Sequence, residues 1–168
     1  MAETLLAVML LLIVAAMLTQ GIPLAFNAYK KVDQAANANM LLSTTMTELR
    51  DKLSFSDEVT VSGNTVSFVN GAGRKYTLSY DSVKGGLYIE DVSSADYNPG
   101  AENDSYLLVS DAAASKELYV YYDNAEKSTD GNVLKFTKLA VYSKSDASHA
   151  NPYIKIDEFD VRLIKNGK

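Results

Sequence analysis

The 168-residue chain has no cysteine, no tryptophan, one histidine and three prolines. Without cysteine, disulfide scaffolds, zinc knuckles, thiol nucleophiles and iron–sulfur clusters are excluded. A single imidazole, His149, leaves almost no room for histidine-based metal or acid–base chemistry. Positive charge is also scarce. Sixteen Lys and Arg face 21 Asp and Glu, a net charge of -5, so the general basic face that a nucleic-acid binder needs is not supplied. No Gly-rich loop follows a strand and opens a helix, which leaves nucleotide binding without an anchor. Apolar residues at 47% and charged residues at 22% are ordinary for a globular chain and exclude wholesale disorder. The length fits one domain plus an appendage.

What is present is concentrated at the start. Leu5 to Leu18 reads LLAVMLLLIVAAML, with no polar side chain, and from Ala2 to Phe26 only Glu3, Thr4, Thr19 and Gln20 are strongly polar. As a helix rising 1.5 Å per residue this segment is about 37 Å long, against about 30 Å of bilayer hydrocarbon. A helix apolar on all sides belongs in lipid or in a bundle of like helices. Three readings follow: a cleaved secretory signal, a retained signal anchor, or a helix that leaves the membrane and packs against copies of itself. The opening Met1-Ala2-Glu3 lacks the basic stretch expected of a secretory signal.

Helical character continues past Phe26. Val32, Ala35, Ala36, Leu42, Met46, Leu49 and Leu53 follow three- and four-residue steps, while Thr47, Glu48, Asp51 and Lys52 take the other side. This predicts one helix of about 50 residues, apolar all round over 1–26 and amphipathic over 27–54. Gly21 and Pro23 interrupt it, and a kink or melted turn is expected there, because proline removes a donor and clashes with the preceding turn. Glu3 sits at the edge of the apolar run. An unpaired carboxylate there either stays solvated among headgroups or is neutralised by a cation from a neighbouring chain, such as an α-amino group.

The run Ala2-Glu3-Thr4-Leu5-Leu6, the apolar segment and the amphipathic extension together resemble the N-terminus of type IV pilins and pseudopilins, over about residues 2–53. The family's basic leader ending in Gly, the aromatic residue at its cleavage point and its C-terminal cysteine pair are not among the 168 residues. Glu3 also lies nearer the start than in the family pattern. The resemblance implies that Glu3 pairs with the amino terminus of an adjacent subunit and sets register. It further implies that the helix melts around Gly21 and Pro23 on assembly. Implied partners are copies of itself or other pilins, membrane lipid before assembly, and assembly-platform and motor proteins.

From Phe55 onward the period becomes two. Val59/Val61, Val66/Phe68, Tyr76/Leu78/Tyr80 and Leu87/Ile89 alternate with polar residues, with glycine-bearing turns between them. They predict a four-strand antiparallel meander over part of residues 55–168, with the helix stripe as cover for its apolar face. Further strands are expected at Tyr106–Val109, Leu118–Tyr122, Val133–Tyr142 and Tyr153–Ile164, with Asp123–Asn132 as a turn region. A parity switch at Asp157-Glu158 predicts a bulge or a break. The expected class is α+β.

Other candidates are thin. Asp123, Asn124, Glu126, Asp130 and Asn132 crowd one loop, and Asp96, Asn98, Glu102, Asn103 and Asp104 another, but neither has calcium-loop spacing. His149, Ser148 and Asp146 form a triad in composition only. Tyr119, Tyr121, Tyr122, Tyr142 and Tyr153 suit either a sticky outer face or cross-strand packing. No catalytic residue, metal or cofactor is expected. The expectation is therefore a filament subunit of a pilus, secretion or competence machine, with a membrane-held helix and an extracytoplasmic β-domain. The alternative is a signal-anchored extracytoplasmic binding module that never polymerises.

Overall fold

A computed structural model of the chain describes residues 2–82, 85–93, 105–109, 117–146 and 148–164. The chain divides into two compact units, Met1–Ala36 and Asn37–Lys168. One helix, α1, runs Ala2–Ser54, with Glu3 in its first turn and Lys52 in its last, the charge signs that suit the two ends of a helix dipole. Leu, Ala and Met dominate the helix in its first unit, and all are good helix formers.

Within the first unit every described side chain is exposed except the half-buried Gln34. In the second unit α1 buries Ala38, Leu41, Leu42, Thr45, Leu49 and Leu53, again at three- and four-residue steps. The stripe therefore begins at Ala38. Val32, expected to open it, is exposed, as are Ala35 and Ala36. Thr45 enters the stripe because its hydroxyl donates to the Leu41 carbonyl at 2.8 Å, so no polar group is left unpaired. At the end of the helix, the Ser56 N–H donates to the Leu53 carbonyl and the Ser56 hydroxyl to that of Lys52.

Two antiparallel sheets follow. The first holds β1 (Asp57–Ser62), β2 (Thr65–Val69), β3 (Lys75–Asp81), β4 (Gly86–Asp91) and β5 (Ser105–Leu107), paired in chain order. The predicted four-strand meander is present and gains β5. Gly86 is required where it stands: its φ is +153°, and a Cβ there would lie 2.7 Å from Leu107 Cδ1. The second sheet is built on β8 (Val133–Ser143). It pairs with β6 (Leu118–Tyr121) and β7 (Asn124–Lys127) at different points along its length, and with β9 (Ile154–Arg162).

Two expectations need correction here. The segment expected to turn from Asp123 to Asn132 contains β7, which pairs with β8 from Leu134 to Thr137. At Asp157-Glu158 there is no break, and β9 is one strand with the same register on either side. The parity changes because Lys138, opposite Asp157, adopts a φ of +52° and is skipped by the ladder. Both strands then change faces together: Phe136 and Phe159 are buried before the switch, Leu139 and Val141 after it.

The core joins α1 residues Leu41, Leu42, Leu49 and Leu53 to Val66, Phe68, Leu78 and Ile89 of the first sheet and Leu134, Phe136, Val141 and Val161 of the second. Polar ties fasten the sheets to each other. Lys127 Nζ donates to the Val59 carbonyl at 2.7 Å, and the buried Tyr122 hydroxyl donates to the Asn64 carbonyl at 2.5 Å. This is an α+β architecture.

Candidate functional site

The first unit presents its function-bearing chemistry as surface. Leu5, Leu6, Leu10, Leu11, Met17, Leu18 and Ile22 are all exposed, and the helix is long and apolar enough to cross a membrane. Monomeric soluble domains rarely expose contiguous apolar patches beyond a few hundred Å², so a surface of this kind marks contact with lipid or protein. Glu3 lies in the first helical turn, and its side chain is exposed.

Gly21 and Pro23 lie eighteen and twenty residues further on, so the helix holds them about 27–30 Å from Glu3 along its axis. The three sequence-predicted residues are thus not one site but two stations on a single rod. Of the kink or melted turn expected there, no melted turn is present: α1 continues as helix through both Gly21 and Pro23. Proline at 23 lacks the N–H that would meet the Thr19 carbonyl. One turn earlier, the Thr19 hydroxyl donates to the Ala15 carbonyl at 2.7 Å, a back-bond of the type that bends helices slightly. A Cβ on Gly21 would meet nothing within 4 Å, so packing inside this chain does not call for glycine. Gly21 therefore stands where the described residues give no steric reason for glycine.

The second unit holds an aromatic box between the sheets that sequence reasoning did not assemble. Tyr80 from β3 meets Tyr119 and Tyr121 from β6, both of these meet Tyr142 from β8, and His149 touches all four rings. The imidazole stacks on Tyr121 with ring centres 3.9 Å apart and planes 8° from parallel. It meets Tyr142, Tyr80 and Tyr119 edge-on at 5.2, 5.7 and 5.8 Å. Its φ is +54°, a left-handed conformation unusual for a residue with a Cβ, and its Nε2 is buried without a hydrogen-bond partner. Asp146 holds the turn. Its carboxylate accepts from the Ser148 hydroxyl at 2.7 Å and the Asn151 N–H at 2.8 Å, and these bonds keep its carboxyl below the usual aspartate range. The Asp146 carbonyl accepts from the Tyr119 hydroxyl at 2.8 Å. Burial raises the Tyr119 phenol above the usual tyrosine range, and the neighbouring Tyr80 adds to the effect. Burial raises Tyr80, Tyr121 and Tyr142 as well.

This geometry dissolves the compositional triad: Ser148 bonds Asp146, not His149, and the imidazole nitrogen meets aromatic rings. Tyr119, Tyr122 and Tyr142 are buried, which removes them from any sticky outer face, while Tyr153 remains partly exposed. In the acidic turn, Asp123 accepts from Lys138 Nζ at 2.7 Å and Glu126 from the Asn124 amide at 2.8 Å. No group of three or more metal-ligating side chains occurs among the described residues. Asp96, Asn98, Glu102, Asn103 and Asp104 lie outside the described residues. The box has structural chemistry, a stack and a turn. The helix surface has the chemistry of association. No protein-family model matches this chain, and neither a curated protein nor a solved structure matches it.

Proposed function

We propose that this chain is a structural subunit, a pilin or pseudopilin, of a type IV pilus-like, type II secretion or competence filament. In this reading the apolar helix holds the monomer in the membrane with the β-domain outside the cytoplasm. After extraction the same helix packs against those of other copies or of other pilins, with an assembly platform and motor supplying the work. One observation carries the reading. A helix that is apolar and exposed over residues 2–26 continues without interruption into an amphipathic half whose buried stripe joins a β-sheet core. A bare membrane anchor needs only a tether, and no such structural continuity.

The energetics define what assembly must overcome. Removing on the order of 1,500 Å² of apolar surface from water gains tens of kcal/mol gross at about 25 cal/mol per Å². That term favours filament over soluble monomer, yet it barely separates filament from membrane, because lipid is equally apolar. Selectivity then falls to packing and to the charge at Glu3. A carboxylate carried into an apolar bundle is penalised unless a cation meets it, so only the axial register that brings the amino terminus of a neighbour to Glu3 is permitted.

The test is Glu3→Ala in the full chain, expressed with its assembly machinery. Filaments sheared from cells are quantified by electron microscopy, and the fold of the β-domain is followed by its near-ultraviolet tyrosine signal. The expected result is a folded, membrane-resident protein that no longer enters filaments. Normal incorporation of the variant would remove Glu3 from the account. Cross-linking that traps only single molecules of the unaltered chain in intact cells would replace the filament with a signal-anchored, non-polymerising module.

A further inference from the structure

We propose that Phe26, Tyr29, Lys30 and Lys31 form an interfacial collar that seats the helix in the headgroup layer of a bilayer containing anionic phospholipid. The proposal rests on the membrane residence described above but is independent of polymerisation. Phe26 and Tyr29 are 68% and 71% exposed, and Lys30 and Lys31 are exposed beside them. Residues 26, 29 and 30 stand three and four positions apart, which places them on one helix face, with Lys31 about a quarter-turn further round. The whole group occupies about 7.5 Å of helix axis, close to the depth of one headgroup layer, which is about 5–7 Å.

Its axial position fits as well. Between Glu3 and Lys30 no residue is charged, and the two are separated by about 40 Å of helix. The bilayer including both headgroup layers is about 40–45 Å thick. With Glu3 at one surface, the aromatic rings at 26 and 29 fall where such rings concentrate and the two ammonium groups reach the phosphates. Charge selects the lipid. Lys30 and Lys31 with Asp33 leave one net positive charge at this level, on a chain whose remaining residues are acidic overall.

The test exploits the absence of native cysteine. Single replacements Ile22→Cys, Ala25→Cys, Ala28→Cys, Val32→Cys and Ala35→Cys are spin-labelled in the full chain and reconstituted in phosphatidylcholine vesicles with and without phosphatidylglycerol. Accessibility to oxygen is expected to dominate at 22 and 25, and accessibility to a water-soluble nickel complex at 32 and 35, with the crossover at 28. Energy transfer from a fluorophore at 28 to labelled lipid is expected to favour phosphatidylglycerol about fivefold at low salt. The preference should vanish in K30Q/K31Q and in high salt. A crossover more than one turn from 28, or equal transfer to both lipids, overturns the collar. Loss of the preference on adding millimolar inorganic phosphate at constant ionic strength would overturn the lipid assignment and leave a general phosphate contact. Filament formation is read separately, so loss of filaments with the crossover in place refutes only the polymerisation reading.

Discussion

Gly21 and Pro23 give the most direct test of whether the helix is built to change shape. In a helix interior glycine is about 1 kcal/mol and proline about 3 kcal/mol less favourable than alanine. The double variant Gly21→Ala/Pro23→Ala should therefore stabilise the helical form of this stretch by about 4 kcal/mol. Sterically the change is open, since a Cβ at 21 meets nothing within 4 Å. It would also restore the missing donor opposite the Thr19 carbonyl, and the compact unit Asn37–Lys168 contains neither residue. If assembly requires this turn to melt, the added stability opposes assembly by the same amount. That corresponds to roughly a thousandfold shift in the equilibrium between monomer and filament. Amide hydrogen exchange over residues 15–25 is the assay, in detergent-held monomer and in sheared filament. The unaltered chain should be protected as monomer and exchange rapidly as filament. The variant should be protected in the monomer and yield few filaments. Abundant variant filaments, with residues 15–25 still protected, would refute the reasoning and leave Gly21 and Pro23 as tolerated irregularities of a membrane helix.

Three further outcomes are expected. At His149 the left-handed backbone should reverse the usual order of Ala and Gly: His149→Ala should be less stable than His149→Gly by about 1 kcal/mol, both falling below the unaltered chain through loss of the Tyr121 stack. Urea unfolding of the full chain in detergent measures this, and Ala equal to Gly would mean the turn relaxes. Burial raises Tyr119 and Tyr122 above the unfolded tyrosine range near 10, so their contribution is intact below pH 10 and is lost as pH rises above it, by up to about 1.4 kcal/mol per pH unit for each. Tyr122→Phe should cost about 1 kcal/mol at neutral pH, through its lost bond to the Asn64 carbonyl, and show a shallower alkaline fall in equilibrium unfolding followed by circular dichroism; an unchanged slope would contradict the burial argument.

How much of this was legible in the sequence depends on whether the signal is local. Leu49 and Leu53 could be read as buried because helical spacing and polar neighbours define a face without knowledge of what covers it. Val32, Ala35 and Ala36 continue the same spacing, yet they lie in a unit whose described apolar side chains are all exposed. Periodicity names a face; only a partner element buries it. β7 was hidden for a related reason. Asn124–Lys127 is polar at three of four positions and buries only Ala125, so pairing with β8, and not hydrophobic pattern, makes it a strand. The parity change at Asp157-Glu158 was visible, but its cause sits twenty residues away at Lys138 on the opposite strand, where no single-strand reading reaches.

The aromatic box shows the same limit with more at stake. Its members stand at 80, 119, 121, 142 and 149, and strands of both sheets and the turn at Asp146 bring them together. One local clue did exist: Leu118-Tyr119-Val120-Tyr121-Tyr122 is apolar or aromatic at every position, the mark of a strand covered on both faces. Leu118 and Val120 do enter the main core, while Tyr119 and Tyr121 face the box. A second cluster on the far face of β8 was therefore implied by five consecutive residues, and with it the burial of most of the tyrosines. What those residues could not imply is that the ring completing the cluster would be the chain's one histidine. That position is set by a strained turn held at Asp146, and its geometry is written in hydrogen bonds and not in hydropathy. The contrast with the first unit is physical. There, the described side chains are exposed almost without exception, so the linear pattern and the surface are the same thing and the candidate residues can be read directly from the sequence.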